Sequence, residues 1–178
     1  MNLRTKYQLY YSSGIENRKN MTKEDFENQL KPLTSFETAE QFWDIFLHLK
    51  LPSKLHLKSK LFIFKGDVQP VWEHPENKNG GRLYFKLPMN KESEEMWQNL
   101  SLELLTGFGG HESLDKIVNG IEMSIRQVDQ LFLAVWINQS DSSVIRELFH
   151  HLKANVPFYD NLEFDFSQHP RKFIEHAQ

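Results

Sequence analysis

Short β-rich segments recur along the chain, and the pattern of helices and links between them is the feature that most constrains the fold. Strand propensity and alternation of apolar with polar residues predict strands at residues 6–11, 60–64, 82–87, 121–126, 131–136 and 162–166. A shorter strand is predicted at 29–34, where Pro32 interrupts the pattern. Three amphipathic helices fit between the strands, and most remaining links have hairpin length. This order predicts an α+β fold, an antiparallel sheet with helices packed on one face.

The three predicted helices are identified by caps and apolar stripes. The first follows Thr38, which forms a capping-box pair with Gln41 three residues later. The second spans about residues 92–105, and the third begins near Ser140 or Asp141. Each helix carries apolar residues on one face, and these residues are expected to fill the core: Phe42, Ile45, Phe46 and Leu49 in the first, Trp97, Leu100 and Leu104 in the second, and Val144, Ile145, Leu148 and Leu152 in the third.

Length and charge restrict the class of protein. A chain of 178 residues is expected to form one domain, residues 1–178, with a sizeable core. The net charge is -3, with acidic and basic residues interspersed. This argues against a protein that follows a nucleic-acid backbone, because that requires a dense basic surface. Recognition of a single nucleotide stays open, and 14 Phe, 5 Tyr and 4 Trp are more aromatic residues than such a core usually requires.

Motifs for catalysis, metal binding and membrane attachment are missing from the sequence. Without cysteine there is no disulfide framework and no thiolate metal site. The eight histidines lack metal-ligand spacing, and there is no GxSxG motif and no P-loop. We therefore expect no enzymatic activity, no metal and no cofactor. No secretory signal, long apolar run or lipidation motif is found, so we expect a cytoplasmic protein, or a nuclear one, without membrane attachment.

The stretch VWEHPENKNGGRLYF, residues 71–85, places Trp72 next to Glu73 at the start of a polar loop. A flat base is held by stacking on aromatic rings, and hydrogen bonds along its edge supply identity. A carboxylate accepts two N–H groups at once, and guanine offers such a pair at N1 and N2. Methylation at N7 makes the base positive, which adds a cation–π attraction of ~0.5–2 kcal/mol. The alternative is a buried Trp at a strand end beside a solvated Glu.

Three apolar side chains lie off the predicted helix stripes. At about 100° per residue, Trp43 and Leu47 point away from the stripe of the first helix, and Leu102 points away from that of the second. An exposed Trp beside Leu residues is typical of a partner-binding surface. The alternative is that these helices are buried over a wider face than a single stripe.

Four stretches of the chain match, in order and at similar spacing, the motifs of a known family. They are SFETAEQFW at 35–43, FKGDVQPVWEHPENKNGGRLYFKL at 64–87, MWQNLSLELLTGFG at 96–109 and IEMSIRQVDQLFLAVWIN at 121–138. These stretches resemble the translation initiation factor 4E family, which binds the messenger-RNA cap, and NKNGG and WQN resemble its 4E-homologous protein type. The resemblance implies a curved antiparallel sheet with three helices on its convex face and the cap on the concave side.

The resemblance also implies which residues surround a 7-methylguanosine base. Trp72 would be one stacking plate, and Glu73 would accept hydrogen bonds from the guanine edge. The second plate falls on Phe26, where the initiation factor has Trp and the homologous protein has Tyr, so the ring offers a smaller face. Trp136 would line the pocket near the N7 methyl group.

Arginines are the phosphate contacts that the resemblance implies. Arg126 would contact the phosphate chain, and Arg82 would assist through water. Strand alternation in IEMSIR places Glu122, Ser124 and Arg126 on one face, opposite the three apolar residues. A few positions after Arg126 the initiation factors carry a basic residue, whereas this chain has Gln130, so one phosphate contact is expected to be lost.

On the convex face the resemblance implies a docking surface for a scaffold or inhibitor protein that carries a helical 4E-binding motif. The residues expected on this surface are Trp43, Leu47, Asn99 and Leu102. The expected function is binding of the cap of messenger RNA in translation initiation or in its repression. Phe26 and Gln130 leave open an alternative, a protein–protein interaction module of the same fold with weak or lost cap binding. A cap hydrolase would need a nucleophile, base or metal site that the sequence lacks.

Overall fold

The computed structural model of the protein describes residues 1–14, 29–157 and 164–169. In chain order its elements are β1 (Asn2–Ser12), β2 (Lys31–Thr38), α1 (Ala39–Phe46), a short 3-10 turn (Pro52–Lys54), β3 (Lys60–Lys65), β4 (Gly81–Pro88), α2 (Lys91–Gly110), α3 (Glu112–Ile117), β5 (Val118–Gln127), β6 (Gln130–Ile137), α4 (Ser142–Asn155) and β7 (Phe164–Gln168). Each predicted strand has a counterpart, although residues 162 and 163 of the last prediction lie outside the described residues. The three predicted helices are present as α1, α2 and α4.

The seven strands form one sheet in the order β2-β1-β3-β5-β6-β4-β7, and every neighbouring pair is antiparallel. The predicted antiparallel arrangement is therefore confirmed. β2 lies at an edge, where Pro32 is paired with Tyr10 of β1. An edge strand tolerates proline because a missing N–H group there does not interrupt a ladder between two neighbours.

Alternation along the strands gives the sheet two chemically different faces. The helices cover one face, where strand residues such as Tyr7, Ile121 and Leu133 form a single core with Phe42 and Leu100 from the helices. The opposite face carries a second, smaller apolar cluster, which consists of Tyr10, Phe62, Phe64 and Trp136. We name this side the Glu122 face, after the buried carboxylate that also lies on it.

Caps set the helix starts where the sequence predicts them. The Thr38 hydroxyl accepts a hydrogen bond from the backbone N–H of Gln41 at 3.2 Å, and the Gln41 side chain accepts one from the backbone N–H of Thr38 at 3.2 Å. The predicted capping box of α1 is thus confirmed. Asp141 caps α4 by accepting from the backbone N–H of Ser143 at 2.7 Å.

The end of α2 reverses the chain through a left-handed turn. Gly107, Phe108 and Gly109 all have positive φ angles, between 54° and 65°, and the phenylalanine side chain is fully buried. Glycine adopts this conformation without a steric penalty, which explains the GFGG sequence. The turn predicted at 107–113 is shorter than expected, because α3 begins at Glu112. This helix escaped prediction because it spans only 6 residues, too few for a clear period.

Candidate functional site

A buried asparagine fixes the loop between β3 and β4. The side chain of Asn77 is fully buried, and its amide donates to the backbone carbonyls of Gln69 and Val71, both at 2.8 Å. Its carbonyl oxygen accepts from the amide of Asn119 on β5 at 2.8 Å, and the same amide donates to the Glu76 carbonyl at 2.9 Å. Two of these bonds close the loop on itself and the two from Asn119 attach it to β5, so the residues that follow Val71 have a defined place.

The loop presents Trp72 and Glu73 as half-buried neighbours. Among the residues that the structure describes, Glu73 forms no hydrogen bond or ion pair, and Trp72 stacks on no other ring. The pair can therefore offer an acceptor and a flat apolar surface to a ligand.

Glu122 of β5 is the centre of an ion cluster whose other members lie on β3, β4 and β6. Its side chain is 2% exposed, and Lys60 lies 3.1 Å from one carboxylate oxygen. The other oxygen accepts from the Arg82 guanidinium at 3.3 Å and from the indole N–H of Trp136 at 3.0 Å. Burial alone would raise the pKa of Glu122, but the charges of Lys60 and Arg82 and these hydrogen bonds lower it to about 2. The carboxylate is therefore ionised at neutral pH.

Trp136 forms part of the floor of the Glu122 face. It is 5% exposed. Its ring contacts Phe64 at a centroid distance of 5.4 Å and His169 at 4.7 Å, and the Arg82 guanidinium lies 5.3 Å from its centroid. The structure thus brings together Arg82 and Trp136, two of the residues that the sequence predicts at the site. Contact of Trp136 with a ligand stays a prediction.

His169 is buried beside this cluster. Its exposed fraction is 5%, and its Nε2 atom has no hydrogen-bond partner among the described residues. Burial, together with the positive charge of Arg82, lowers the pKa of His169 to about 4, against the opposing effect of Glu122. The imidazole is consequently neutral at physiological pH.

Arg126 lies at the end of β5, where its guanidinium is exposed and stacks over the Phe132 ring at 4.5 Å. The turn that follows, residues 127–130, contains no Lys or Arg. Val128 and Asp129 are exposed there, and Gln130 is half-buried. Phe132 pairs with Ser124, so the contact with its ring places Arg126 on the same face as Glu122, as predicted, although the β5–β6 register shifts between Ile125 and Gln127. Phe26, the predicted second stacking plate, lies outside the described residues.

The four residues predicted to bind a partner protein lie on α1 and α2 or just beyond. Leu47 is 74% exposed, as expected from its place off the apolar stripe. Trp43, Asn99 and Leu102 are half-buried, and the Trp43 ring packs edge-on against Phe42 at 5.1 Å. The tryptophan therefore both supports the core and presents part of its ring to solvent.

Sequence reasoning missed Lys60, Asn77, Asn119 and the role of Glu122. The alternation in IEMSIR already placed Glu122 on the same face as Arg126, but the partners of Glu122 come from three other strands.

In the part of the chain that the structure describes, no three histidine or acidic side chains are grouped so as to hold a metal ion. The described helices include none that is long and apolar enough to cross a membrane.

Comparison with known proteins identifies similar sequences over nearly the whole chain. The sequence model of the family described as eukaryotic initiation factor 4E matches residues 2–178. Eukaryotic translation initiation factor 4E of Saccharomyces cerevisiae is 29% identical over 177 residues, which cover 99% of this chain and 80% of that protein. Initiation factor 4E1 of Drosophila melanogaster is 37% identical over 164 residues, which cover 90% of this chain and 61% of that protein.

Solved structures give the same result for the fold. Ascaris suum eIF4E-3, in a complex with the m2,2,7G cap, has a TM-score of 0.81 at 23% identity and covers 96% of this chain and 92% of its own. Caenorhabditis elegans eIF4E-3, in a complex with the 4E-binding protein Mextli and a cap analog, has a TM-score of 0.78 at 22% identity, with 92% and 91% covered. These likenesses show the expected fold, a curved antiparallel sheet with helices on its convex face.

Proposed function

Because the chain belongs to the eukaryotic initiation factor 4E family, we propose that it binds the 7-methylguanosine cap of messenger RNA and acts in translation initiation or in its repression. It does so in the cytoplasm as a binding protein without catalytic activity. The ligand lies on the Glu122 face, on the concave side of the sheet. The observation that carries this proposal is the firmly held loop with Trp72 and Glu73 side by side and without partners in the described part of the chain.

In this proposal Trp72 and Glu73 recognise the two features that define the base. The indole ring stacks on the flat face of the base, and the positive charge of the N7-methylated ring adds a cation–π attraction of about 0.5–2 kcal/mol. The Glu73 carboxylate accepts from the N–H groups at N1 and N2, and these hydrogen bonds are charge-assisted. Phe26 provides the second plate, with a smaller face than Trp or Tyr.

The phosphates and the methyl group are contacted by residues of the strands. Arg126 binds the phosphate chain directly, and Arg82 contributes through water. The exposed guanidinium of Arg126 and the part-exposed one of Arg82 support these roles. Trp136, directly below Arg82, lines the pocket near the N7 methyl group.

Tryptophan fluorescence tests the proposal. Titration with 7-methylguanosine triphosphate should quench the fluorescence, whereas guanosine triphosphate should leave it unchanged. Glu73→Ala should abolish the response, and Glu76→Ala, which removes an exposed carboxylate of the same loop, should preserve it. Equal and negligible responses of the wild-type protein to both nucleotides would contradict cap binding.

The convex face binds a scaffold or inhibitor protein through a short helical motif. Trp43, Leu47, Asn99 and Leu102 form this docking surface. The exposure of Leu47 and the partly exposed side chain of Trp43 support it, because aromatic and aliphatic anchors dominate such interfaces. Complexes of relatives with Mextli and with 4E-BP are known. Trp43→Ala should weaken capture of a peptide with the motif and leave cap binding intact, and loss of both would identify Trp43 as a core residue.

A second candidate function is a protein–protein interaction module with weak cap binding. The absence of a cation from residues 127–130 of the β5–β6 turn favours it, because a phosphate contact is missing there. The same titration separates the two candidates. This module would capture the peptide normally but respond weakly to both nucleotides.

A further inference from the structure

The central strands concentrate positive charge around one carboxylate. On β3, β5, β6 and β4, the charged residues of the Glu122 face are the cations Lys60, Arg82, Lys86 and Arg126 and the single anion Glu122. Lys60 is paired with Ser124 of β5, and Arg82 is paired with Trp136 of β6. The cluster therefore joins side chains from four adjacent strands.

The anion of this cluster is more deeply buried than its two cations. The Glu122 carboxylate is 2% exposed, whereas the Lys60 and Arg82 side chains are 17% and 28% exposed. The anion lies below and the two cations lie above it, at the solvent side. A ligand from solvent thus meets the cations first, and the two positive charges exceed the one negative charge beneath them.

We propose that Lys60 is a further phosphate contact of the ligand site and that Glu122 positions Lys60 and Arg82 for this task. The inference rests on the proposed function, since the phosphates are those of the capped nucleotide. Glu122 is the only acidic partner of Lys60 among the described residues. An ammonium group has three N–H donors, so this ion pair leaves donors for a phosphate oxygen.

The register of the strands places Lys60 near the proposed phosphate path. Its partner Ser124 precedes Arg126 by two residues on the same face. Lys60 and Arg126 are therefore diagonal neighbours, on the order of 7–8 Å apart at the backbone. Two long cationic side chains at this separation can contact one phosphate chain from both sides. Lys60 in this way supplies the charge that residues 127–130 lack.

The inference predicts dependence on the number of phosphates. Lys60→Met, which keeps the aliphatic stem, should weaken binding of 7-methylguanosine triphosphate about tenfold and affect the monophosphate much less, because the first phosphate is held by the arginines. Lys60→Arg should restore most of the affinity. Lys91→Met is the matched control, since Lys91 is 86% exposed on the helical side, and it should bind like the wild type.

The outcomes distinguish this inference from the proposed function. A wild-type protein that binds neither methylated nucleotide contradicts both. A wild-type protein that binds both, with an unchanged triphosphate affinity in Lys60→Met, overturns the role of Lys60 alone. An equal loss for the two nucleotides also overturns it, because Lys60 would then act on the fold or on the base.

Glu122→Gln tests the positioning role by the sign of its effect. The substitution makes the face more positive, so attraction alone would tighten triphosphate binding, whereas loss of positioning weakens it. We expect weaker binding by a folded protein, with folding checked by near-ultraviolet circular dichroism. Tighter binding would overturn the role of Glu122. If Glu122→Gln does not fold, Glu122→Asp is measured instead. It keeps the charge on a shorter side chain, so we again expect weaker binding, and an unchanged or tighter triphosphate affinity would overturn the role of Glu122.

Discussion

Replacement of Asn77 by Ala is expected to loosen the loop that carries the two proposed base contacts. The side chain is fully buried and takes part in three hydrogen bonds of 2.8 Å, two to the carbonyls of Gln69 and Val71 and one from Asn119. Each bond contributes about 0.5–1.5 kcal/mol net, and a buried group left without a partner costs about 1–3 kcal/mol. The expected loss in the free energy of unfolding is therefore about 2–4 kcal/mol.

Urea unfolding of Asn77→Ala, Asn119→Ala and the double variant measures this loss and its origin. The one bond between the two amides should appear as a coupling energy of about 0.5–1.5 kcal/mol. Asn79→Ala is the control, because Asn79 is exposed in the same loop and forms no hydrogen bond with the described residues. Additive single effects, together with an unchanged affinity of Asn77→Ala for 7-methylguanosine triphosphate, would refute the reasoning.

Substitutions at four further positions test the fold. Burial and a nearby guanidinium hold the pKa of His169 at about 4, whereas an unfolded His titrates near 6.5. Because this pKa is depressed, the contribution of His169 to stability is fully present above about pH 6.5. It falls by up to about 3 kcal/mol as the pH falls to about 4. In urea unfolding, His169→Gln should not show this pH-dependent loss. Gly80→Ala should lower the free energy of unfolding by more than about 2 kcal/mol, since the new Cβ would lie 1.7 Å from the Ile137 carbonyl oxygen. At Gly66 a new Cβ would have no atom within 4 Å, but the φ angle is 55°, so Gly66→Ala should lower it by about 1 kcal/mol in thermal unfolding. Thr38→Ala should lower the free energy of unfolding by about 1 kcal/mol, because the capping box is lost. Thr38→Ser should keep most of the wild-type stability in the same assay.

Local signals account for the parts of the fold that could be predicted. The capping pair of Thr38 and Gln41 lies within one helical turn, so its geometry follows from sequence spacing. Alternation in IEMSIR assigned Glu122 and Arg126 to one face, because strand side chains alternate regardless of their neighbours. Trp72 and Glu73 could be predicted as base contacts because they are adjacent in the sequence and resemble a known motif, and that role stays a prediction.

The ion cluster could not be predicted because its members are distant in the sequence. Arg82 and Glu122 are separated by 40 residues and meet only through the order of the strands. The same holds for Asn77 and Asn119, 42 residues apart. Propensity and periodicity describe single segments, and they contain no information on which strands become neighbours.

The two-faced sheet has a consequence for which genetic changes the protein tolerates. Ile121, Met123 and Ile125 of β5 lie in the helix-covered core, and Glu122 between them lies on the other side. A substitution on one face changes side chains of that face alone, so the proposed ligand site can vary while the core stays the same. Deletion of one residue within β5 would instead rotate every later side chain to the opposite face. Variation at this strand is therefore expected to accumulate as replacements, with its length held constant.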